Sequence, residues 1–169
     1  GIYRSTNGGT TWVKRSNATD IFESTQAWYD LAFAASPTNA EQVFTGCLNV
    51  WRSNNGGTSS TKLNNWSSYN ASFTHADIHY LGYHGTKLYC GSDGGIYVSD
   101  NSGTVFTEKT GAAQIGQFYK ISVSKQTAGK IAGGLQDNGG FAYNNDIWRG
   151  YHGGDGMDNW LDPVTNTNV

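Results

Sequence analysis

One short phrase returns along this chain and limits what it can fold into. Gly1-Ile-Tyr-Arg-Ser-Thr-Asn-Gly-Gly9 comes back as Gly95-Ile-Tyr-Val-Ser-Asp-Asn-Ser-Gly103. A third version, Val50-Trp-Arg-Ser-Asn-Asn-Gly-Gly57, lies between them. The spacing gives a period of about 47 residues, the length of a unit built from several short strands. Composition agrees. Gly, Asn, Ser and Thr fill 71 of 169 positions, against 2 Pro and 1 Met. The 6 Trp, 10 Tyr and 7 Phe exclude a disordered chain. Good helix formers are scarce, so short aromatic strands joined by Gly/Asn/Ser turns are expected, in an all-β protein.

A period of this size with four strands per unit is that of a β-propeller blade. Naming the strands A to D from the axis outward, the first unit shows C (1–5) and D (12–16). The second runs 28–35, 42–47, 50–53 and 62–66; the third 77–83, 87–91, 96–99 and 105–109; the fourth 118–124, 130–134, 140–143 and 147–151. A fifth begins near 157–161, and 20–26 is a short helical or irregular insert. The blades then occupy 1–20, 26–68, 75–110, 116–152 and 155–169. This partial propeller, about three and a half blades, leaves apolar faces and edges open. Further blades, in the same or a partner chain, are expected to complete a larger propeller.

The repeated turn has a physical logic. In Ser5-Thr-Asn7-Gly-Gly9-Thr-Thr-Trp12 the Asn side chain can bond amides of its own turn, and glycine supplies a positive φ without strain. Trp12 is expected to fold back and bury a large apolar face. The pattern resembles the Asp-box, or BNR, repeat, Ser-x-Asp-x-Gly-x-Thr-Trp. The first copy has Asn7 in place of Asp. The second keeps Ser53, Asn55 and Gly57, with Ser60 at the Trp position. The third keeps Ser99, Asn101 and Gly103, with Phe106 for Trp.

The resemblance continues through Gln26-Ala-Trp-Tyr-Asp-Leu-Ala32, His75-Ala-Asp-Ile-His79 and Leu88-Tyr-Cys-Gly-Ser-Asp-Gly-Gly-Ile-Tyr97. Gly116-Gln-Phe-Tyr-Lys120, Gly133-Gly-Leu-Gln-Asp-Asn-Gly139 and Gly153-Gly-Asp-Gly-Met157 extend it. Together these look like the Asp-box propellers of large secreted Bacteroidota proteins, many of which carry type IX secretion sorting domains. The wider group includes sortilin-like propellers and xyloglucanase-type glycoside hydrolases. The resemblance implies an extracellular or cell-surface bacterial propeller; it does not imply one activity. It also implies that the Asp-box turns lie opposite the ligand face and are structural.

The B–C loops and the approaches to the A strands then share the other, axial end. That end gathers His75, Asp77, His79, Asp93, Gln117, Tyr119, Gln136, Asp137, Asn138 and Asp155, with Tyr29 and Asp30 nearby. On an extended strand, His75, Asp77 and His79 would share one face, a weak metal-ligand set or a hydrogen-bonded seam between blades. Asp77, Asp93, Asp137 and Asp155 are candidate catalytic carboxyls. Glycoside hydrolysis takes two, about 5 Å apart for retention or about 6.5–9.5 Å for inversion. Exposed Tyr69, Phe73, Tyr83, Trp148 and Tyr151 could stack on sugars or serve as core. His84 and His152 are expected in loops.

Net charge is −2, which gives no footprint for nucleic acid, and no apolar run is long enough for a spanning helix. No Walker loop, dinucleotide fingerprint or nucleophile elbow is present, so no cofactor is implied. Cys47 and Cys90 could bridge in an oxidising compartment or serve as small strand residues. Asn17, Asn65 and Asn70 begin glycosylation sequons. The leading expectation is a binding or scaffold propeller for glycan or protein ligands; the alternative is a xyloglucanase-like hydrolase module.

Overall fold

In the computed structural model, residues 1–16, 20–23, 25–111, 113 and 116–166 are described. The sequon at Asn17 lies outside them. The fold is all-β, with no helix among the described residues and therefore none long and apolar enough to cross a membrane. Contacts divide the chain into two compact units, Gly1–Ala112 and Ala113–Val169.

The first unit holds three antiparallel sheets. β1 (Tyr3–Arg4) pairs with β2 (Val13–Lys14). Next come β3 (Ala32–Ala35), β4 (Val43–Gly46), β5 (Val50–Ser53) and β6 (Thr61–Lys62), hydrogen-bonded in chain order. Then β7 (Ile78–His84), β8 (Lys87–Ser92), β9 (Gly95–Ser99) and β10 (Thr107–Glu108) repeat that order. The second unit carries β11 (Phe118–Val123), β12 (Ile131–Leu135), β13 (Gly140–Asn144) and β14 (Ile147–His152), again a four-stranded meander. Repeated four-stranded meanders of this kind are blades of a β-propeller.

Alternation explains how the sheets of the first unit stack. In β3, Ala32 and Ala34 are buried while Phe33 and Ala35 point the other way and are exposed. The alanines let β7 lie close over β3 and β4, and the core between the two sheets is filled by Phe44, Ile78, Leu81, Leu88 and Phe106. Each such side chain, fully buried, contributes about 1.5–3 kcal/mol. One backbone bond locks the approach: the Ile78 N–H donates to the Cys47 carbonyl at 2.7 Å. Gly46 makes room, because a Cβ there would come within 2.7 Å of Ile78.

The second unit repeats this device. The Gly156 N–H donates to the Leu135 carbonyl at 2.8 Å, and a Cβ on Gly134 would strike the backbone of Gly156 and Met157. In both units the segment after a B strand's own blade region crosses that strand at a glycine and binds the next carbonyl.

The Asp-box copies form one turn three times. The hydroxyls of Ser5, Ser53 and Ser99 donate to the Oδ1 of Asn7, Asn55 and Asn101 at 2.9–3.0 Å. Each serine Oγ also accepts the amide of Gly9, Gly57 or Gly103, at 2.8, 2.9 and 2.8 Å. Each Asn Oδ1 accepts an amide four residues on, at Thr11, Ser59 and Val105. Gly9, Gly57 and Gly103 have φ of 89°, 88° and 78°, the left-handed region where only glycine is unstrained. The hairpin between β13 and β14 turns differently: Asn145 and Asp146 have φ of 51° and 64°, consistent with a type I′ turn.

Several sequence expectations are corrected or resolved. Trp12 folds back, its Nε1–H donating to the Gly9 carbonyl at 3.0 Å, yet stays 62% exposed. Phe106, at the same place in its turn, is buried because the second sheet lies against it. The second A strand begins at Ala32 instead of residue 28, since the amides of Tyr29 and Asp30 both close a turn onto the Gln26 carbonyl. Residues 157–161 form no ladder; an isolated bridge at Leu161 and a bond from its amide to Ser122 Oγ at 2.9 Å hold them instead. Cys47 and Cys90 are free thiols, both buried. Asn65 and Asn70 cap their own turns, accepting from the amides of Ser67 and Ser72, which accounts for both sequon-like strings by turn chemistry.

Candidate functional site

The axial end of the first unit is built where the approach to β3 meets the approach to β7. The Gln26 Nε2–H₂ group donates to Asp30 Oδ2 at 3.0 Å and to Asp77 Oδ1. One amide thus joins carboxylates from adjacent blades. Asp30 is fully buried, and its other oxygen accepts the Cys47 thiol at 3.5 Å. Burial and then the neighbouring Asp30 carboxylate push the Cys47 thiol up to about 12. Across the blade boundary, the Tyr29 ring meets the His79 ring edge-on, with centroids 5.0 Å apart. His79 Nε2 lies 2.9 Å from Asp93 Oδ1. The Asp93 amide in turn donates to the Asp77 carbonyl at 3.3 Å, so the B–C loop and the A-strand approach meet.

His75, Asp77 and His79 do not share one strand face. β7 begins only at Ile78, Asp77 has φ 59°, and the ladder slips between Ile78 and Tyr80, leaving His79 at a β-bulge. The His75 ring turns to the Ala76 carbonyl at 3.2 Å and packs over Gly94, while His79 is aimed at Asp93. The spacing-of-two premise therefore fails at a left-handed residue followed by a bulge.

The second unit builds its axial end in a related way. β11 bulges between Phe118 and Lys120, which projects Tyr119. The Tyr119 hydroxyl donates to Asp155 Oδ1 at 3.2 Å, and the Asp137 amide donates to the same oxygen at 3.1 Å. The Gln136 amide donates to the Gln117 carbonyl at 2.9 Å, matching the Asp93–Asp77 backbone bond of the first unit. Asn138 folds back onto the Gln136 carbonyl at 3.0 Å. Asp137, with φ 55°, joins through its amide.

Sequence reasoning assigned no role to Gln26 or to the Cys47–Asp30 contact. The signal was present: Asp30-Leu31, Asp77-Ile78 and Asp155-Gly156 recur, and in the last two the residue after the acid crosses the preceding B strand. Trp28 is a further addition. It is 84% exposed and tilted against Tyr29, with ring centroids 5.7 Å apart. Of the expected stacking residues, Tyr69 is 89% exposed and stacks on Phe73 at 4.2 Å, whereas Phe73 and Tyr83 pack against the core.

Chemically, the axial end of each unit is a set of carboxylates held by defined donors, rimmed in the first unit by Trp28 and Tyr29. It can accept hydrogen bonds from hydroxyl or amide groups and offer a flat apolar face beside them.

No protein-family model matches this chain, and no curated protein does. Among solved structures, it is similar to an ancestral GH74 enzyme, with 18% identity and a TM-score of 0.39 over 80% of this chain and 22% of that one. It is also similar to YCF48 bound to D1 peptide, with 14% identity and a TM-score of 0.43 over 84% and 45%. A GH74 xyloglucanase from Xanthomonas campestris gives 16% identity and a TM-score of 0.37 over 81% and 25%. These neighbours are β-propeller proteins. The chain spans less than half the length of each. The fold assignment rests on the sheets themselves.

Proposed function

We propose that this chain is a non-catalytic binding or scaffold module of a secreted or cell-surface protein, taking glycan or protein ligands at the axial end of its blades. The observation that carries the reading is how the axial carboxylates are employed. Asp30 and Asp77 share the Gln26 amide, Asp93 is paired with His79, and Asp155 holds Tyr119 and the Asp137 amide. Carboxylates fixed by donors are acceptors and structural ties; a general acid needs an environment that raises its pKa and keeps its proton. Beside them, exposed Trp28 and Tyr29 offer a stacking platform. The Asp-box resemblance supports an extracellular setting in a bacterial protein of the type IX-secreted kind. It also supports a ring completed by further blades.

One distance favours glycoside hydrolysis as a second reading. Carboxylate oxygens of Asp77 and Asp93 lie within 4.8 Å of each other, near the about 5 Å of a retaining pair. Affinity electrophoresis in gels of soluble plant polysaccharides, run beside a reducing-sugar assay, separates the readings. The binding module is retarded without releasing sugar, and Trp28→Ala weakens retardation about tenfold, roughly 1.4 kcal/mol. Sugar release abolished by Asp77→Asn or Asp93→Asn would establish the hydrolase. Absence of retardation by every polysaccharide would remove the glycan ligand.

A further inference from the structure

The loop that joins β6 to β7 carries an aromatic stack on the outer edge of the first unit. It is pinned at several points. The Phe106 N–H, just before the edge strand β10, donates to the Ala71 carbonyl at 2.8 Å. The Ser72 hydroxyl donates to the Leu63 carbonyl at 2.6 Å. Two turns wind the loop around these ties: the Ser68 N–H binds the Asn65 carbonyl at 2.9 Å, and the Phe73 N–H binds the Asn70 carbonyl at 3.0 Å. On this frame Tyr69 lies over Phe73, with ring centroids 4.2 Å apart and planes 28° from parallel. Phe73 is itself seated, packed against the core and edge-on to buried Tyr97 at 6.1 Å. Tyr69 is nonetheless 89% exposed. One face of its ring is backed by the core, and the other is open to solvent. Both blades that flank the loop have all four strands, so the open face is not an unfinished blade boundary.

Polar groups flank the ring along the loop. Asn65 Oδ1 accepts the amide and hydroxyl of Ser67, and Asn70 Oδ1 accepts the amide of Ser72. A backbone amide can only donate, so each Asn commits its oxygen to the turn. Each keeps an Nδ2–H₂ group that has no acceptor among the described residues.

We propose that Tyr69 is the platform of a second binding site, on the outer edge, for a hexopyranose whose hydroxyls are equatorial. Such a sugar presents a flat face of C–H groups to a flat aromatic ring. Its hydroxyls radiate in the ring plane, where the Asn65 and Asn70 carboxamides can donate to them. Phe73 fixes the platform before the ligand arrives, so little side-chain freedom is lost on binding. The site uses none of the axial carboxylates. It shares only its ligand class with the proposed function, and different side chains read the two: Trp28 the axial end, Tyr69 the outer edge.

The test titrates the intact 169-residue chain carrying Trp28→Ala, which isolates the outer edge, with cellohexaose. The comparison ligand is 1,5-linked arabinohexaose, whose furanose rings lack the flat face. Calorimetry measures affinity, and far-ultraviolet dichroism confirms that each variant remains folded. Saturable cellohexaose binding is expected, with a tyrosine difference band in the ultraviolet. Adding Tyr69→Ala should weaken binding at least about tenfold. Tyr69→Phe keeps the ring, and should hold affinity within about twofold while removing the tyrosine band. No binding to the folded Trp28→Ala chain would overturn the proposal, as would binding that Tyr69→Ala leaves unchanged; retardation lost only with Trp28→Ala would still sustain the axial site. Equal affinity for arabinohexaose would overturn the flat-ring class. Binding of a proline hexapeptide in place of cellohexaose would make the partner a protein segment and overturn the sugar.

Discussion

Asparagine stands in all three turns where the Asp-box pattern has aspartate, and the geometry shows why it suffices. The Oδ1 of Asn7, Asn55 and Asn101 acts only as an acceptor, from a serine hydroxyl and a backbone amide, a task that needs no charge. The amide also donates where a hydroxyl is at hand, as Nδ2 of Asn55 does to Ser59 at 2.8 Å. The serine is the more demanding position. Ser53 is buried, and Ser53→Ala leaves the Gly57 and Asn55 amides without their acceptor. We expect a loss of about 1–3 kcal/mol in urea unfolding, and a smaller loss for the more exposed Ser5→Ala. The thiols give a second test at this scale. Burial pushes Cys47 and Cys90 both up to about 12, so neither should react with iodoacetamide at pH 8 until the chain unfolds. Labelling of either thiol in native protein at the rate of free cysteine would contradict the packing around them.

Among the elements, the strands were readable because hairpins with Gly/Asn turns bound them on each side; β5, β9 and β13 fall where the repeated phrase and the turn spacing place them. What hid from the sequence was backbone irregularity. Asp77 adopts a positive φ, and His79 and Tyr119 sit at β-bulges; neither changes the residue pattern, yet both decide which side chains meet. The turn onto the Gln26 carbonyl and the exposure of Trp12 were hidden for a related reason, since each depends on what lies against it in space. Gly46 sets how closely Ile78 and Leu81 of the next sheet approach β4. Gly46→Val should destabilise the first unit by about 1–3 kcal/mol by overpacking against Ile78 and Leu81, measurable as a lowered melting temperature. The segment 20–23 is tied to the second sheet by Glu23, which accepts from Asn49, Trp51 and Lys62. Burial alone would raise the Glu23 carboxyl, but the bonds from Lys62, Asn49 and Trp51 outweigh it and hold it below its ordinary value. Its stabilisation is therefore complete above the unfolded carboxyl pKa, about 4.3, and is lost as pH falls through the lower folded value. Glu23→Gln should be less stable than the parent at pH 7, with the difference closing as the pH drops below about 4. A gap that stays constant down to pH 3 would contradict this.

Across the whole molecule, both units use one rule for joining a blade to the next stretch of chain. An acidic residue at the axial end precedes an amide that binds the carbonyl of the residue following a glycine, Gly46 or Gly134, at the end of the preceding B strand, and that glycine has no room for a side chain. The same rule places the axial carboxylates beside the blade boundaries. Native-state amide hydrogen exchange of the chain alone tests this most directly. The account expects the Ile78 and Gly156 amides to exchange at least about a hundredfold more slowly than unstructured amides, while the Leu31 amide exchanges close to the unstructured rate. Fast exchange at Ile78 and Gly156, or equal protection at Leu31, would contradict it.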